Sequence, residues 1–162
     1  MELSSDTAGR TVPRAFERRL GLLVNKLGTH ILSRATARLD ALGLDARDYA
    51  TLAVLADDHP PSQQELADLL GLAPPAIVPL VDGLQERRLV TRQRDPEDRR
   101  RTTVVLTAKG HRNLARADAV AADVEQDVFA CLSVTERDAL HDAVRRTMAS
   151  TWGAASDPTL PR

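Results

Sequence analysis

Aromatic residues are nearly absent from this 162-residue chain: two Phe, one Trp and one Tyr make up 2% of it. Any core must therefore be aliphatic, which is within reach because hydrophobic residues account for 43% of the chain. Such a composition predicts a folded protein, either one large domain or a small domain with helical extensions. Cysteine occurs once, as Cys131, which excludes an intrachain disulfide and a cysteine-based zinc cluster and suits a reducing compartment. No apolar run approaches the roughly 18 residues of a membrane-crossing helix, and Glu2 and Asp6 precede the first arginine, unlike a secretory signal. The expectation is a soluble, cytoplasmic protein without a membrane partner. There is no glycine-rich phosphate loop, and His30, His59, His111 and His141 have no His-x-x-x-His spacing. Neither an enzyme nor a cofactor nor a metal centre is expected. The opening left for catalysis is that acids such as Asp57 and Asp58 meet distant bases in space. Net charge is also small, −1 with 28% of residues charged; this excludes nothing, since a nucleic-acid binder can gather its cations on one face.

What the chain does have is a succession of helical patterns. Residues 1–12 are small and polar, and are expected to be a flexible tail. From Pro13, a residue suited to a first helical turn, Phe16, Leu20, Leu23, Val24, Leu27, Ile31 and Ala35 recur at three- and four-residue steps. This predicts one helix to about Leu39, ending near Gly43. Asp45 can cap a second helix from Ala46 to about Asp58, with Tyr49, Leu52, Ala53 and Leu55 facing inward, until His59-Pro60-Pro61 stops it. Ser62 and Glu65 form a capping box for a short helix over Gln63 to Leu70. Gly71 permits a sharp turn, and a fourth helix follows from Pro74 to about Arg87 on Ile77, Leu80, Val81 and Leu84.

At Leu89 the period changes. Residues 89–94 and 101–106 are short candidate strands, and Asp95-Pro96-Glu97-Asp98 between them carries turn chemistry, so they predict a hairpin. Thr107 can cap a long helix with a buried stripe of Leu114, Ala117, Ala121, Val124, Val128 and Leu132. Ser133 caps a last helix, about Val134 to Thr151, carrying Leu140, Val144 and Met148; residues 153–162 are expected to be a second flexible tail. The fold class is thus mainly α with a small β-hairpin. Two helices joined by a tight glycine turn and followed by a basic hairpin is the order of a winged helix-turn-helix, in which the second helix enters the major groove and the hairpin lies along the backbone or minor groove. Between residues 87 and 101 stand Arg87, Arg88, Arg92, Arg94, Arg99, Arg100 and Arg101, against Asp95, Glu97 and Asp98. Guanidiniums at this density can supply several phosphate contacts, although an arginine-rich solvated loop would have the same composition.

Ser62-Gln63-Gln64-Glu65-Leu66-Ala67, Leu80-Val81-Asp82-Gly83-Leu84, Leu89-Val90, Asp95-Pro96-Glu97-Asp98-Arg99-Arg100 and Val104-Val105-Leu106-Thr107-Ala108-Lys109-Gly110 together resemble the MarR family of transcriptional regulators. The resemblance covers about residues 45–110. It implies a homodimer whose N- and C-terminal helices, 13–44 and 107–152, form the dimerisation region, with a winged region, 45–106, on each side reading a pseudo-palindromic operator on double-stranded DNA. It also implies, for many members, repression relieved by a small aromatic or phenolic effector. Carried over by position, 63–70 is the supporting helix and 74–87 the recognition helix. Asp98 and Arg100 match the wing aspartate and arginine, with Arg99 beside them; Arg94 and Arg101 are generic backbone candidates. On the recognition helix the DNA-facing candidates are Pro74, Pro75, Ala76, Val78, Pro79 and Gln85. Here the chain departs from the family pattern, which places Ser, Thr and a basic residue on that face. Arg88 stands where the family usually has glycine.

Dimerisation has a second footing. Phe16, Leu20 and Leu23 at one end, and Leu140, Val144, Met148 and Trp152 at the other, give apolar stripes longer than a small winged domain can cover; packing within one chain is the alternative. Two-fold pairing would set the recognition elements about 34–36 Å apart. The resemblance places the effector near the junction of the first, second and long fifth helices, where His30, Tyr49 and His59 are the candidates. Cys131 does not match the N-terminal sensing cysteine of peroxide-responsive members. The competing function is a non-catalytic interaction or structural dimer that has lost operator binding.

Overall fold

The structure, a computed structural model, describes residues 14–57, 59–95, 98 and 101–152. The expected terminal tails, Pro13 and Asp58 lie outside these residues. In chain order the elements are α1 (Arg14–Glu17), α2 (Leu20–Asp40), α3 (Ala46–Val54), α4 (Gln63–Leu69), α5 (Pro74–Glu86), β1 (Val90–Arg94), β2 (Thr102–Leu106), α6 (Ala108–Val128) and α7 (Val134–Trp152). The mainly α class with one hairpin is the observed one. No single helix among the described residues is long and apolar enough to cross a membrane.

The first helix is not continuous. The Arg19 amide turns back onto the Phe16 carbonyl at 3.1 Å and Arg19 takes extended angles, so α2 starts afresh without a side-chain cap. A four-residue turn has too few helical bonds to propagate across such a break. α2 closes at Gly43, whose φ is 70°; the Gly43 amide bonds Asp40 and the Leu44 amide bonds Leu39, at 2.9 and 3.1 Å.

Asp45 caps α3 as expected, and Asp48 reciprocates: each side chain accepts from the other's amide, at 2.7 and 3.0 Å. The helix stops at Val54 rather than near Asp58, and Ala53, expected inside, is exposed. The buried stripe is Asp48, Thr51, Leu52 and Leu55, an i, i+3, i+4, i+7 set that leaves Ala53 on the other side and begins on a carboxylate.

The chain divides within α6 into two compact units, the first ending at Ala121 and the second beginning at Ala122. In the first, Leu39, Leu52, Leu66, Val81, Leu84 and Val104 are among the core residues. β1 and β2 pair antiparallel, Val90 opposite Leu106 and Arg94 opposite Thr102. The hairpin is tied to the start of α4 by a bridge between Ser62 and Thr103 and by the Val104 amide on the Pro61 carbonyl at 3.1 Å. Along α6, Leu114, Ala117 and Val124 are buried and Ala121 and Val128 half-buried; Leu132, expected on the same stripe, lies beyond the end of the helix and is half-buried. In the second unit Ser133 caps α7, its amide donating to Glu136 Oε2 at 2.8 Å.

Candidate nucleic-acid interface

Three local devices set the α4–α5 pair. The Ser62–Glu65 capping box starts α4, with the Ser62 amide on Glu65 Oε2 at 2.7 Å and the Glu65 amide on Ser62 Oγ at 3.3 Å. At its end Gly71 takes φ 63°, and the Gly71 and Leu72 amides cap Asp68 and Ala67 at 3.1 and 2.8 Å. Pro74 and Pro75 then open α5 without a side-chain cap, because two residues that lack an N–H leave fewer donors to satisfy. The chain bends by 108° from α4 to α5, within the usual range of a helix-turn-helix.

α5 buries Ile77, Val81 and Leu84 and runs unbroken through Pro79. Of the expected DNA-facing residues, Pro74, Pro75, Val78, Pro79 and Gln85 are exposed, while Ala76 is half-buried. Arg88 provides the turn out of α5 with φ 60°, the only positive φ of a non-glycine among the described residues. Its amide bonds Gln85 and the Leu89 amide bonds Leu84, both at 2.9 Å, the closure that glycine makes at residues 43 and 71. A left-handed helix terminus is thus formed even with arginine in place.

The arginines of residues 87–101 divide by what holds them. Arg87 is bidentate on Asp48, with Nη1 and Nη2 at 2.8 and 2.7 Å from the carboxylate, and its Nη1 also reaches the Gly43 carbonyl at 2.8 Å. Asp48 is 5% exposed. Burial pushes its carboxyl up, but the bonds from Arg87, the Asp45 amide and the Arg87 charge outweigh this and leave it below the ordinary value. Arg92 joins three places: Nε donates to Gln63 at 2.8 Å, Nη1 to Gln85 Oε1 at 3.0 Å, and Nη2 pairs with Asp82 at 2.7 Å. Arg101 pairs with Glu65, whose carboxyl is held low by the Ser62 amide and hydroxyl and by the charge of Arg101; Asp95 lies 3.8 Å from its Nε. Arg94 and Arg88 are exposed, and no partner holds their side chains among the described residues. Asp98 is exposed, and its carbonyl accepts the Arg101 amide at 2.8 Å to close the hairpin turn. Arg99 and Arg100 lie outside the described residues.

The start of α6 is seated on the exit from α5. Lys109 Nζ donates to the Arg87 carbonyl at 2.8 Å, Thr107 Oγ1 to that of Arg88 at 2.7 Å, and the Thr107 amide to that of Leu89 at 3.0 Å. Thr107 Oγ1 also accepts the Gly110 amide at 3.0 Å. A Cβ on Gly110 would stand 2.1 Å from the Leu89 oxygen, so only glycine allows this approach. Leu106-Thr107-Ala108-Lys109-Gly110 is thereby given a physical role.

The other candidates are dispersed. His30 is exposed on α2; the Tyr49 hydroxyl bonds Asp118 of α6 at 3.0 Å; His59 lines a shallow groove of about 380 Å3 with Pro60, Pro61, Glu65, Asp68, Leu69 and Arg101. Leu20 is 76% exposed, and Phe16 and Leu23 are half-buried; Leu140, Val144 and Met148 are exposed on α7, while the Trp152 side chain lies outside the description. Cys131 is free and exposed. Among the described residues no group of three His, Cys, Asp or Glu could hold a metal. Sequence reasoning counted Arg87 and Arg92 among the arginines available for phosphate contacts and missed Asp48, Asp82 and Gln63 as their partners. The Asp45-x-x-Asp48 spacing was the one local signal.

A family model described as the MarR family matches residues 42–101. The transcriptional regulator HosA of Escherichia coli O111:H- is 30% identical over 100 residues, which cover 62% of this chain and 74% of HosA. The chain belongs to the MarR family. Another relative is the uncharacterized HTH-type transcriptional regulator YcgE of Bacillus subtilis (strain 168), 38% identical over 87 residues, or 53% of this chain. The match spans 56% of the length of YcgE. Among solved structures, CouR from Rhodococcus jostii RHA1 bound to p-coumaroyl-CoA superimposes with a TM-score of 0.71 at 29% identity, covering 92% of this chain and 99% of that one. CouR bound to a 23-mer DNA duplex gives 0.73 at 27% identity, covering 85% and 97%. The fold of this MarR-family chain is accordingly a winged helix-turn-helix, in which α5 is the second helix of the motif and the β1–β2 hairpin the wing.

Proposed function

We propose that this protein is a cytoplasmic, DNA-binding transcriptional regulator without catalysis of its own, that it acts as a homodimer on a pseudo-palindromic operator, and that it represses nearby genes until a small aromatic or phenolic molecule weakens its hold. DNA binding rests on one arrangement: two helices at 108° followed directly by a hairpin whose first strand presents the exposed Arg94. Arg94 and, by resemblance, Arg99 and Arg100 contact the backbone or minor groove, Asp98 shapes the wing, and Arg101 lends what its pairing with Glu65 leaves free. α5 faces the major groove. Self-association is supported by the exposed Leu20, Leu140, Val144 and Met148, with Phe16, Leu23 and Trp152 as the remaining members of the two stripes. An aromatic effector is supported by the CouR complex with p-coumaroyl-CoA. Of His30, Tyr49 and His59, Tyr49 is the best placed to transmit binding, because its hydroxyl links α3 to α6.

The test is selection of duplexes from a randomised pool by the purified full chain at low salt, followed by affinity measurements across salt concentrations. Affinity should fall steeply as salt rises, since phosphate contacts release counterions. Arg94→Ala and Arg100→Ala should each weaken binding and lower the salt slope by about one. A chain that selects no duplex and stays insensitive to both substitutions would instead be an interaction dimer.

A further inference from the structure

Residues 74–81 read Pro-Pro-Ala-Ile-Val-Pro-Leu-Val: the first two turns of α5 carry no polar side-chain atom. In a helix-turn-helix these N-terminal turns are the ones that meet base edges. The first polar side chain, Asp82, is paired with Arg92, and Gln85, the next on the exposed face, gives its Oε1 to the same guanidinium. A glutamine so engaged cannot make the two-bond contact that reads adenine. What remains on the outside of the early turns is Pro74, Pro75, Val78 and Pro79, all exposed, the last three at i, i+3 and i+4 and hence on one face. Every base pair offers hydrogen-bonding groups in the major groove, and the only methyl there is the 5-methyl of thymine.

Resting on the DNA-binding reading above, we propose that α5 reads its operator through thymine methyls, with Val78 and the rings of Pro75 and Pro79 packed against them. Two features favour this occupant. Proline rings give up almost no side-chain entropy on contact, so a rigid apolar ridge is a low-cost surface for a methyl. The same ridge strips water from any unsatisfied donor or acceptor beneath it, which disfavours pairs that present only polar edges. Arg92, by neutralising Asp82 and fixing Gln85, keeps a carboxylate from repelling the DNA and positions the ridge without touching a base.

Uracil in place of thymine removes the methyl and leaves base pairing intact, so the probe alters DNA and not protein. In the duplex that the full chain selects from a random pool, thymines are replaced by uracil one at a time and affinity is measured. Each contacted position should lose about fourfold, the factor matching about 0.8 kcal/mol for a buried methylene-sized group. Val78→Ala should abolish the loss at one of those positions and leave the others. A selected duplex indifferent to uracil everywhere, or a uracil penalty unaltered by Val78→Ala at every position, overturns methyl reading and leaves DNA binding standing. A protein that selects no duplex overturns both.

Discussion

Replacing Arg88 with glycine should stabilise the protein, against the usual direction of a change to glycine. Arg88 holds φ at 60°, beside 70° at Gly43 and 63° at Gly71, and closes its helix in the same way. An L-residue in that region carries about 1–2 kcal/mol of steric cost. Glycine relieves it and loses about 0.5–1 kcal/mol more backbone entropy on folding. The balance favours Arg88→Gly by about 0.5–1 kcal/mol. No side-chain contact opposes this gain, because the Arg88 side chain is exposed and unpartnered among the described residues, and its amide and carbonyl bonds need no side chain. Arg88→Ala is the control: it removes the same charge and keeps the Cβ. For a chain of this length 1 kcal/mol moves the midpoint by about 2–4 °C, so the glycine variant should melt about 1–4 °C above the alanine variant. Both are compared at one protein concentration, since self-association adds to apparent stability. A glycine variant that melts at or below the alanine variant refutes the strain argument.

Three other substitutions probe the scaffold. Gly110→Ala drives a Cβ into the Leu89 carbonyl and should cost about 2–4 kcal/mol, read as a lower urea midpoint. Asp48→Asn breaks a pair whose loss would cost about 3–5 kcal/mol if wholly buried; Arg87 is 39% exposed and recovers hydration, so about 2–3 kcal/mol is expected. Because the Asp48 carboxyl is depressed in the folded protein, its contribution is present above the unfolded value and lost as pH falls through the folded one. The difference in stability between wild type and Asp48→Asn should therefore shrink in acid, which urea titrations from pH 7 to pH 3 would follow. Pro79→Ala restores an N–H inside α5 and should raise stability by about 1–3 kcal/mol; a lower midpoint would mean that the ring's packing outweighs its missing donor.

The order of elements was legible because their boundaries are written locally. Ser62 with Glu65, Gly71, Pro74 and the Asp95–Asp98 turn each act within about four residues, which a linear reading can reach. The break between α1 and α2 carries no such mark: Arg18 and Arg19 are ordinary helix formers. The candidate site was half legible. The exposure of Pro75, Val78 and Pro79 follows from the burial of Ile77, Val81 and Leu84 on a 3.6-residue period. The fate of the arginines did not follow, since Arg87 and Asp48 are 39 residues apart and Arg92 and Gln63 are 29 apart. Asp48 was hidden for a second reason. A hydrophobic pattern skips a carboxylate, even where its buried place on the stripe is fixed by a guanidinium from another helix.

The seat of α6 on residues 87–89 distributes mutational tolerance unevenly. Every acceptor on the α5 side is a main-chain carbonyl, which no ordinary substitution can delete, whereas on the α6 side, the Thr107 amide apart, the donors and the clearance are the side chains of Thr107 and Lys109 and the bare Cα of Gly110. One flank of the joint can therefore drift in sequence while the other cannot. That asymmetry is why an arginine at position 88 leaves the joint whole: it taxes the backbone angle there, but leaves in place each oxygen that the long helix grips.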